Sequence, residues 1–528
     1  MKRVFIFCVL MIGVRTGFGA TVRLGALPTV GIGKGAGVID PAGGYAYFID
    51  STTYSTFFQT TLISRIKLSN FSNSLALSYT ELYGGTLPAP QGNNAAVIDP
   101  THGFAYFIFG QQPATLVKIS LSDFVQQSSA TLVGAGPFSC GVIDSVNGYA
   151  YFGTQTNPAL IAKVRLSDLT VVSSMTLGAG NSYLRAAVLD PADHFAYFGS
   201  STTTGAAVKI DLTTFLQTAT LTFNAGEGAV VSAFLDHTVG SIWFGTNDSP
   251  GKIVRARLSD LKQVDSLTLN ANENRLTSVI YDATIRRAFL GTDTSTGTIV
   301  RINPVTMRRD NITELDAGED YLEASAFDDV NTFGYFATLT IPSSIVKVDL
   351  IGGVPEITST AIPDQEVPVG QTASFSVTAI GREISYQWNR NGAPISGATA
   401  NVYQLAKTTL DDDLAQFNCT VSNSSGSATS GTTTLTVDPD IHVFPNPWRA
   451  DRHGASVPVS FNGLPTGAVV KIFTLAAQWV RNVPESGGVA TWDLKNDSGQ
   501  NAASGYYLYY VKTHNDNHQI RGKFAIIR

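Results

Sequence analysis

The chain has 528 residues, of which 44% are hydrophobic and 14% are charged, and its formal net charge is −6. This composition excludes a disordered chain, and the length exceeds that of one small domain. A slightly acidic chain without a basic stripe also excludes nucleic acid as the expected partner. The low charged fraction, with abundant Gly, Ser and Thr, suits an all-β exported protein.

The first 20 residues have the pattern of a bacterial signal peptide. Lys2 and Arg3 supply a charged start, the apolar stretch 4–14 follows, and the segment 17–20 has the small residues of a cleavage site. The apolar stretch is too short to span a bilayer as a helix, and no later segment is long and apolar enough. We therefore expect cleavage near Ala20, no transmembrane span, and a location outside the cell or on its outer surface.

A repeated unit fills most of the remaining chain. Its anchor is an aspartate that returns at intervals of 59, 45, 46, 46, 46 and 46 residues, and only the first unit carries an insertion. An aromatic residue lies seven positions after every anchor, and a lysine or arginine lies nineteen after it in six units. The anchors are Asp40, Asp99, Asp144, Asp190, Asp236, Asp282 and Asp328. Three features in one register indicate one structural unit repeated seven times.

Each unit predicts four short strands with turn residues between them. In the fourth unit the predicted strands are 186–189, 195–199, 207–211 and 217–223. Four strands in a unit of this length are typical of a propeller blade, although a solenoid of β-repeats is the alternative. The last unit lacks its fourth strand, and residues 21–27 are predicted to supply it, which would close a ring and protect an edge.

The strand before each anchor is predicted to be innermost. The positions four and three residues before the aspartate are nearly all small, as expected where seven strands crowd around one axis. Cys140 is one of these, so we expect a buried thiol rather than a reactive one. The anchor aspartates are expected to stabilise turns rather than bind metal. We expect the aromatic residues to pack between blades, and the basic residues to be solvated or to lie between blades.

Blades differ most in the loops that enter the innermost strands, where binding residues concentrate. Ordinary polar loops are the alternative interpretation. No histidine pair has metal-ligand spacing, and phosphate loops, nucleophile elbows and zinc-protease motifs are absent from the sequence. The sequence therefore predicts no cofactor, no metal site and no catalytic residue. The candidate ligand-binding residues are Asn94, Tyr183, Arg185, Arg275, Tyr321 and Glu323.

The repeats resemble the YVTN-type and related surface-protein propeller repeats. The similarity lies in the Val-Ile-Asp-Pro anchor segment and the aromatic pair that follows, and it extends over about residues 21–351. The resemblance implies an all-β fold with a seven-bladed β-propeller over residues 21–353. It also implies an exported binding platform, without indicating a particular ligand.

Residues 354–438 resemble a bacterial immunoglobulin-like domain. Trp388 matches the core tryptophan of that family, and Cys419 matches its second cysteine. Val377 stands where the first cysteine is expected, and Phe417 replaces the corner tyrosine. The resemblance therefore implies a sandwich without the family disulfide, in which Cys419 is a buried free thiol.

Residues 440–528 resemble the FlgD-like immunoglobulin domain and the C-terminal sorting domains of type IX secretion. The similarity is carried by the order of the segments Val443–Trp448, Val470–Thr474 and Ser504–Tyr509. It implies either export with attachment to the cell envelope through secretion machinery, or a plain β-sandwich cap. The stretch Asp493–Gly499 offers oxygen ligands for Ca²⁺, but a hairpin turn is the favoured interpretation.

Three functions are compatible with the sequence. The favoured hypothesis is a secreted or cell-surface adhesion protein without enzymatic activity, whose propeller binds an extracellular glycan or protein. The second is a propeller-type polysaccharide lyase or glycosidase, which requires a converging set drawn from Arg185, Arg275, Tyr321 and Glu323. The third is a purely structural envelope protein.

Overall fold

The computed structural model describes residues 21–29, 35–54, 58–82, 94–109, 113–132, 136–359, 361–438, 440–454, 456–512 and 519–528. The predicted signal peptide, residues 1–20, lies outside them. The fold is all-β, and the chain divides into two compact units, Met1–Gly353 and Val354–Arg528. Among the described residues, the helices are the α-helix α1 (Ala450–His453) and a short 3₁₀ segment, Leu410–Asp412. Neither is long or apolar enough to cross a membrane.

The described part of the first unit holds seven four-stranded antiparallel sheets. The first strand, β1 (Val22–Pro28), belongs to the last sheet. Sheet 1 contains β2 (Gly37–Asp40), β3 (Tyr45–Tyr54), β4 (Phe58–Lys67) and β5 (Ser72–Leu82). Sheet 2 contains β6 (Ala95–Asp99), β7 (Phe104–Phe109), β8 (Ala114–Ser120) and β9 (Gln126–Leu132). Sheet 3 contains β10 (Phe138–Asp144), β11 (Tyr149–Thr154), β12 (Leu160–Arg165) and β13 (Val171–Thr176).

The next sheets repeat the same order. Sheet 4 contains β14 (Leu184–Asp190), β15 (Phe195–Ser200), β16 (Ala206–Asp211) and β17 (Leu216–Thr222). Sheet 5 contains β18 (Val230–Asp236), β19 (Ser241–Thr246), β20 (Lys252–Arg257) and β21 (Gln263–Thr268). Sheet 6 contains β22 (Ser278–Asp282), β23 (Arg287–Gly291), β24 (Thr298–Asn303) and β25 (Arg308–Glu314). Sheet 7 contains β26 (Leu322–Asp328), β27 (Phe333–Thr338), β28 (Ser344–Asp349) and β1.

Sheet 7 takes its outer strand from the other end of the chain. β1 pairs antiparallel with β28, from Val22 opposite Asp349 to Pro28 opposite Ser344. The Arg23 guanidinium also donates a hydrogen bond of 2.7 Å to Glu319 in the loop before sheet 7. The pairing predicted for residues 21–27 is therefore present.

The first strands of successive sheets contact one another. β2 contacts β6, and this relation continues in chain order to β26, which in turn contacts β2. The contacts therefore pass through all seven described sheets and return to the first. The buried clusters of the unit lie mainly between neighbouring sheets, where each sheet covers the apolar face of the next.

The repeat register places the aromatic residue opposite the basic residue on neighbouring strands. In sheet 4, Tyr197 of β15 is paired with Lys209 of β16. The Lys209 ammonium lies 3.8 Å from the centre of the Phe195 ring and donates a 2.6 Å hydrogen bond to the Leu258 carbonyl of sheet 5. Lys118 makes the corresponding bond from sheet 2 to the Leu166 carbonyl of sheet 3, at 3.2 Å. At these two positions the basic residue joins neighbouring sheets rather than facing solvent.

The anchor aspartates end the first strands and begin tight turns. Four residues after every anchor the backbone is left-handed, and glycine occupies this position in four units. In six units the anchor carboxylate accepts a hydrogen bond from a backbone N–H two or three residues on. These bonds confirm the predicted turn role for six aspartates. Asp190 has no such bond in the described part of the chain.

The N-terminal part of the second unit, up to residue 438, contains three sheets. Its strands are β29 (Glu356–Ile357), β30 (Gln365–Pro368), β31 (Ala373–Ser376), β32 (Ala379–Ile380), β33 (Ser385–Arg390), β34 (Ala393–Pro394), β35 (Val402–Leu405), β36 (Ala415–Asn423), β37 (Gly426–Thr429) and β38 (Thr433–Asp438). β29 pairs with β32, β31 with β35, and the main sheet has the order β30-β38-β36-β33-β34, with β37 beside β36. Trp388 and Cys419 are paired across β33 and β36, and both are fully buried. Cys419 is a free thiol, as predicted.

The C-terminal part of this unit contains a three-stranded and a five-stranded sheet. Its strands are β39 (His442–Phe444), β40 (Trp448–Arg449), β41 (Val459–Asn462), β42 (Val469–Thr474), β43 (Trp479–Pro484), β44 (Val489–Trp492), β45 (Gly505–Lys512) and β46 (Gln519–Ile527). The sheet orders are β39-β41-β44 and β40-β46-β45-β42-β43. In the Asp493–Gly499 stretch, Asn496 accepts hydrogen bonds from the N–H groups of Ser498 and Gln500, as in a tight turn.

Candidate functional site

A cavity of about 430 Å³ lies where the first strands of the seven sheets meet. Its lining repeats three positions of every unit, those five, four and three residues before the anchor aspartate, and adds Gln155 and Leu339. We call it the axial cavity. The positions five residues before the anchor are Gly35, Asn94, Ser139, Arg185, Val231, Thr277 and Glu323, and we call them the mouth ring.

Strand geometry determines which of these side chains face the cavity. Side chains alternate between the two faces of a strand, and in β14 Arg185 and Ala187 are half-buried whereas Ala186 between them is buried. The mouth ring and the small residues three before the anchor therefore face the cavity, while the position between them packs between sheets. The small residues leave the cavity open, and the mouth ring supplies its polar groups.

Arg185 is the one cation of the mouth ring, and Glu323 is its one carboxylate, in the described lining. The Arg185 side chain makes no hydrogen bond or ion pair with another described residue. By contrast, the hydroxyl groups of Ser139 and Thr277 donate to the carbonyls of Leu184 and Leu322 in the following sheets, the second at 2.9 Å. Those two hydroxyl groups join sheets, whereas the Arg185 guanidinium is available to a ligand.

Cys140 lies beside the mouth ring but is not a nucleophile. It is 7% exposed, and burial raises the pKa of its thiol to about 12, an effect that the nearby Arg185 charge partly opposes. The thiol therefore stays protonated at neutral pH, and only the thiolate form is reactive. This confirms the predicted burial of Cys140.

A second cavity of about 490 Å³ lies in the loops around sheet 6. Arg275 and Tyr321 line it, together with Asn274 and Asp293. The Arg275 guanidinium pairs with the Asp293 carboxylate at 3.2 Å. Arg275 and Tyr321 have left-handed backbone, with φ of 51° and 55°. Arg275 therefore has an internal partner that Arg185 lacks.

The structure separates the six predicted ligand-binding residues into groups. Asn94, Arg185 and Glu323 share the axial cavity, five positions before their anchors. Arg275 and Tyr321 lie in the second cavity, seven positions before theirs, and Tyr183 holds the same repeat position but lines neither cavity. Five of the six candidates are thus divided between two cavities, three in the axial cavity and two in the second. The residue at the earlier position has left-handed backbone and is followed by a buried leucine in each of these three units.

Sequence reasoning missed Ser139, Thr277 and Gln155 in the axial lining. The first two were overlooked because small hydroxyl residues are common in this chain and do not stand out in loops. The anchor register contains the missing signal, since counting back five residues from every aspartate identifies the mouth ring. Gln155 follows a second strand, eleven residues after its anchor, and Leu339 holds the same repeat position in the last unit.

Among the described residues, the set that a lyase or a glycosidase requires is divided between the two cavities. Arg185 and Glu323 are in the axial cavity, while Arg275 and Tyr321 are in the second. Glycoside hydrolysis ordinarily needs two facing carboxyl groups, and the described axial lining has one. Its chemistry is that of a polar recognition cavity with a positively charged group at its mouth.

Comparison with known proteins gives a structural similarity but no family. No protein-family profile matches the chain, and no curated protein sequence matches it significantly. Among solved structures, the fold is similar to that of PorZ, described as an essential bacterial surface component of the type-IX secretion system of the human oral-microbiomic Porphyromonas gingivalis. The two are 12% identical with a TM-score of 0.42, and the match covers 93% of this chain and 59% of that one. This chain therefore spans less than two thirds of the length of PorZ.

Proposed function

We propose that this is an exported, non-enzymatic binding protein whose axial cavity takes a carboxylate-bearing group of an extracellular glycan. The observation that carries the proposal is Arg185, a half-buried guanidinium at the mouth of a 430 Å³ cavity, without a protein partner among the described residues. Guanidinium groups pair with carboxylates in a two-pronged geometry. A cavity of this volume is in the range of small-ligand sites.

The other polar groups of the mouth ring complete the recognition surface. Asn94 carries both donor and acceptor atoms, and Glu323 carries a carboxylate, in the lining beside Arg185. The small residues deeper in the cavity, such as Ala187 and Ala96, leave room for a ring to enter. An acidic sugar at a chain end therefore suits the cavity better than a neutral one, and an acidic protein side chain is the second candidate.

The proposed architecture is a seven-bladed β-propeller over residues 21–353, followed by two immunoglobulin-like sandwiches over 354–438 and 440–528. The sequential contacts of the seven first strands, which return from β26 to β2, support the propeller. The buried Trp388–Cys419 pair supports the first sandwich, and the two facing sheets around Trp492 support the second. In this proposal, the last domain serves export or attachment to the cell envelope.

A glycan array tests the ligand. The mature chain is applied beside Arg185→Met and the matched control Arg275→Met, which removes an arginine from the second cavity. We expect selective binding to glycans that carry carboxylates, at least about tenfold weaker in Arg185→Met, since each 1.4 kcal/mol of lost binding is tenfold. Arg275→Met should bind like the original chain.

Three results would overturn this proposal. Equal binding of neutral and acidic glycans would remove the role of Arg185, and cleavage of a bound glycan would favour the lyase or glycosidase alternative. Absence of binding to any glycan or matrix protein would favour a purely structural envelope protein.

The location has a separate test. Intact cells of the native host are treated with protease, and the protein is followed with and without residues 440–528. If the protein is exported, protease added outside the cell should degrade it. If the last domain attaches the protein to the envelope, its deletion should remove the protein from the cell surface. A protein that stays inside the cell would contradict the signal-peptide interpretation.

A further inference from the structure

Asp190 departs from the six other anchor aspartates in its surroundings. The others accept backbone hydrogen bonds within their own turns. Asp190 is fully buried, its Oδ2 atom lies 3.2 Å from Nδ1 of His237, and its Oδ1 atom has no hydrogen-bond partner. A buried carboxylate with one oxygen that lacks a donor is costly, so the Asp190 carboxylate is suited to a cation.

Two more side chains with metal-binding atoms converge on Asp190. A carboxylate oxygen of Asp190, one of Asp193 and a ring nitrogen of His237 all lie within 4.8 Å of one another. Asp193 is in the turn that follows β14, and its Oδ2 atom is 3.9 Å from Nδ1 of His237, in the turn that follows β18. The Asp193 and His237 side chains are about half exposed, so an ion can reach the cluster from solvent.

We propose that Asp190, Asp193 and His237 bind one Zn²⁺ ion that joins sheets 4 and 5. Zinc takes imidazole nitrogen and carboxylate oxygen at about 2.0–2.2 Å, which places tetrahedral ligand atoms roughly 3.4 Å apart. The observed separations of 3.2 Å and 3.9 Å bracket that value. Three protein ligands leave the fourth position to water.

The imidazole selects the metal. Ca²⁺ and Mg²⁺ take oxygen ligands almost entirely, whereas a site with one histidine and two carboxylates suits Zn²⁺. The ion would be held between two sheets, because Asp190 and Asp193 come from sheet 4 and His237 from sheet 5. An ion that binds the folded chain but not the unfolded chain also stabilises the fold.

Lys209 is the positive charge that faces the two carboxylates from the neighbouring strand β16. Its ammonium group donates to the Leu258 carbonyl at 2.6 Å and lies over the Phe195 ring. In the described structure it makes no hydrogen bond to either carboxylate. One lysine also balances only one of the two negative charges, so the cluster has a net negative charge when His237 is neutral, as a zinc ligand must be.

The chain contains a matched control for this cluster. His102 Nδ1 lies 2.7 Å from Asp99 Oδ2, which reproduces the histidine–anchor pair of the proposed site. There, however, Asp99 Oδ1 accepts the backbone N–H of His102, and the described residues provide no second carboxylate beside the pair. His102→Ala therefore removes a similar pair without removing a proposed zinc ligand.

The test is zinc titration by calorimetry of the mature chain after treatment with a chelator, followed by thermal unfolding with and without Zn²⁺. We expect one zinc ion per chain, and a zinc-dependent rise of the Tm, for the original chain and for His102→Ala. Asp193→Asn and His237→Ala should each weaken that binding by at least about tenfold and abolish the rise in Tm. Both residues are half exposed, so neither change should prevent folding, and circular dichroism checks this.

Equal zinc affinity in the original chain and in folded His237→Ala would overturn the proposal, and so would the absence of zinc binding. Binding of Ca²⁺ or Mg²⁺ that is as tight as that of Zn²⁺ would overturn the choice of metal. Since glycan binding by Arg185 is measured separately, failure of one proposal is distinguishable from failure of the other.

Discussion

The two ends of the first strands in the repeated units differ in how much they vary. At one end every unit has the same residue, an aspartate that begins a turn. At the other end the mouth ring has seven different residue types, glycine, asparagine, serine, arginine, valine, threonine and glutamate. The uniform end meets the same packing demand in every unit, whereas the variable end borders a cavity and is free to differ. Variation within a repeat therefore points to the candidate site more clearly than any single motif.

The largest expected effect is at the uniform end. Asp328 is 1% exposed and accepts hydrogen bonds from both the backbone N–H and the side-chain amide of Asn331. Asp328→Ala should lower the free energy of unfolding by about 2–3 kcal/mol, because it removes the hydrogen bonds that a buried carboxylate accepts within its turn. Scanning calorimetry of the mature chain measures this as a lower Tm of the transition that involves the first unit.

The same end offers a sharper test in the pair Asp328→Asn and Asp190→Asn. In metal-free buffer we expect the first change to be more destabilising, since both oxygens of Asp328 accept hydrogen bonds while one oxygen of Asp190 accepts none. An equal or larger loss for Asp190→Asn would contradict this ranking.

A smaller effect is expected where neighbouring sheets are joined. Lys118→Met keeps most of the apolar side chain but removes the ammonium group that bonds to the Leu166 carbonyl and lies 3.9 Å from the centre of the Phe104 ring. The loss should be about 1–2 kcal/mol, from one charge-assisted hydrogen bond and one cation–π contact. Urea unfolding measures it, and Lys262→Met, on the outer turn of sheet 5, is the control. A loss no greater than that of the control would mean that the lysine is solvated.

The sequence was sufficient to predict the repeat, its four strands and the outer strand contributed by residues 21–27, because each depends on a pattern of residues repeated along the chain. It also predicted the burial of Cys140 from the repeat register, and that of Cys419 from the resemblance to an immunoglobulin-like domain. It could not separate Tyr183 and Arg275 from Arg185, since Tyr183 and Arg275 differ from it in having left-handed backbone. That conformation has no distinctive residue type here.

The Asp190 cluster was out of reach of the sequence for a different reason. His237 is 47 residues from Asp190, so the pair cannot be recognised from a short ligand spacing in the sequence. It comes close only because successive sheets pack side by side, which places a turn of one unit next to the turn of the next. The anchor at Asp190 is also identical in sequence to its counterparts at Asp40 and Asp99, which are followed by proline too. Only the hydrogen bonds distinguish it.

The smallest expected effect on stability is at the variable end and sharpens its assignment as a binding site. Arg185→Met removes a half-buried guanidinium that makes no hydrogen bond in the described structure, so the free energy of unfolding should change by less than about 0.5 kcal/mol. Thr277→Val, in the same ring, removes a hydroxyl group that donates to the Leu322 carbonyl at 2.9 Å and should cost about 1 kcal/mol. Urea unfolding of both variants compares them directly. If Arg185→Met is as destabilising as Thr277→Val, the arginine supports the fold. If it is neutral while glycan binding falls, the charge is held at the mouth for a ligand.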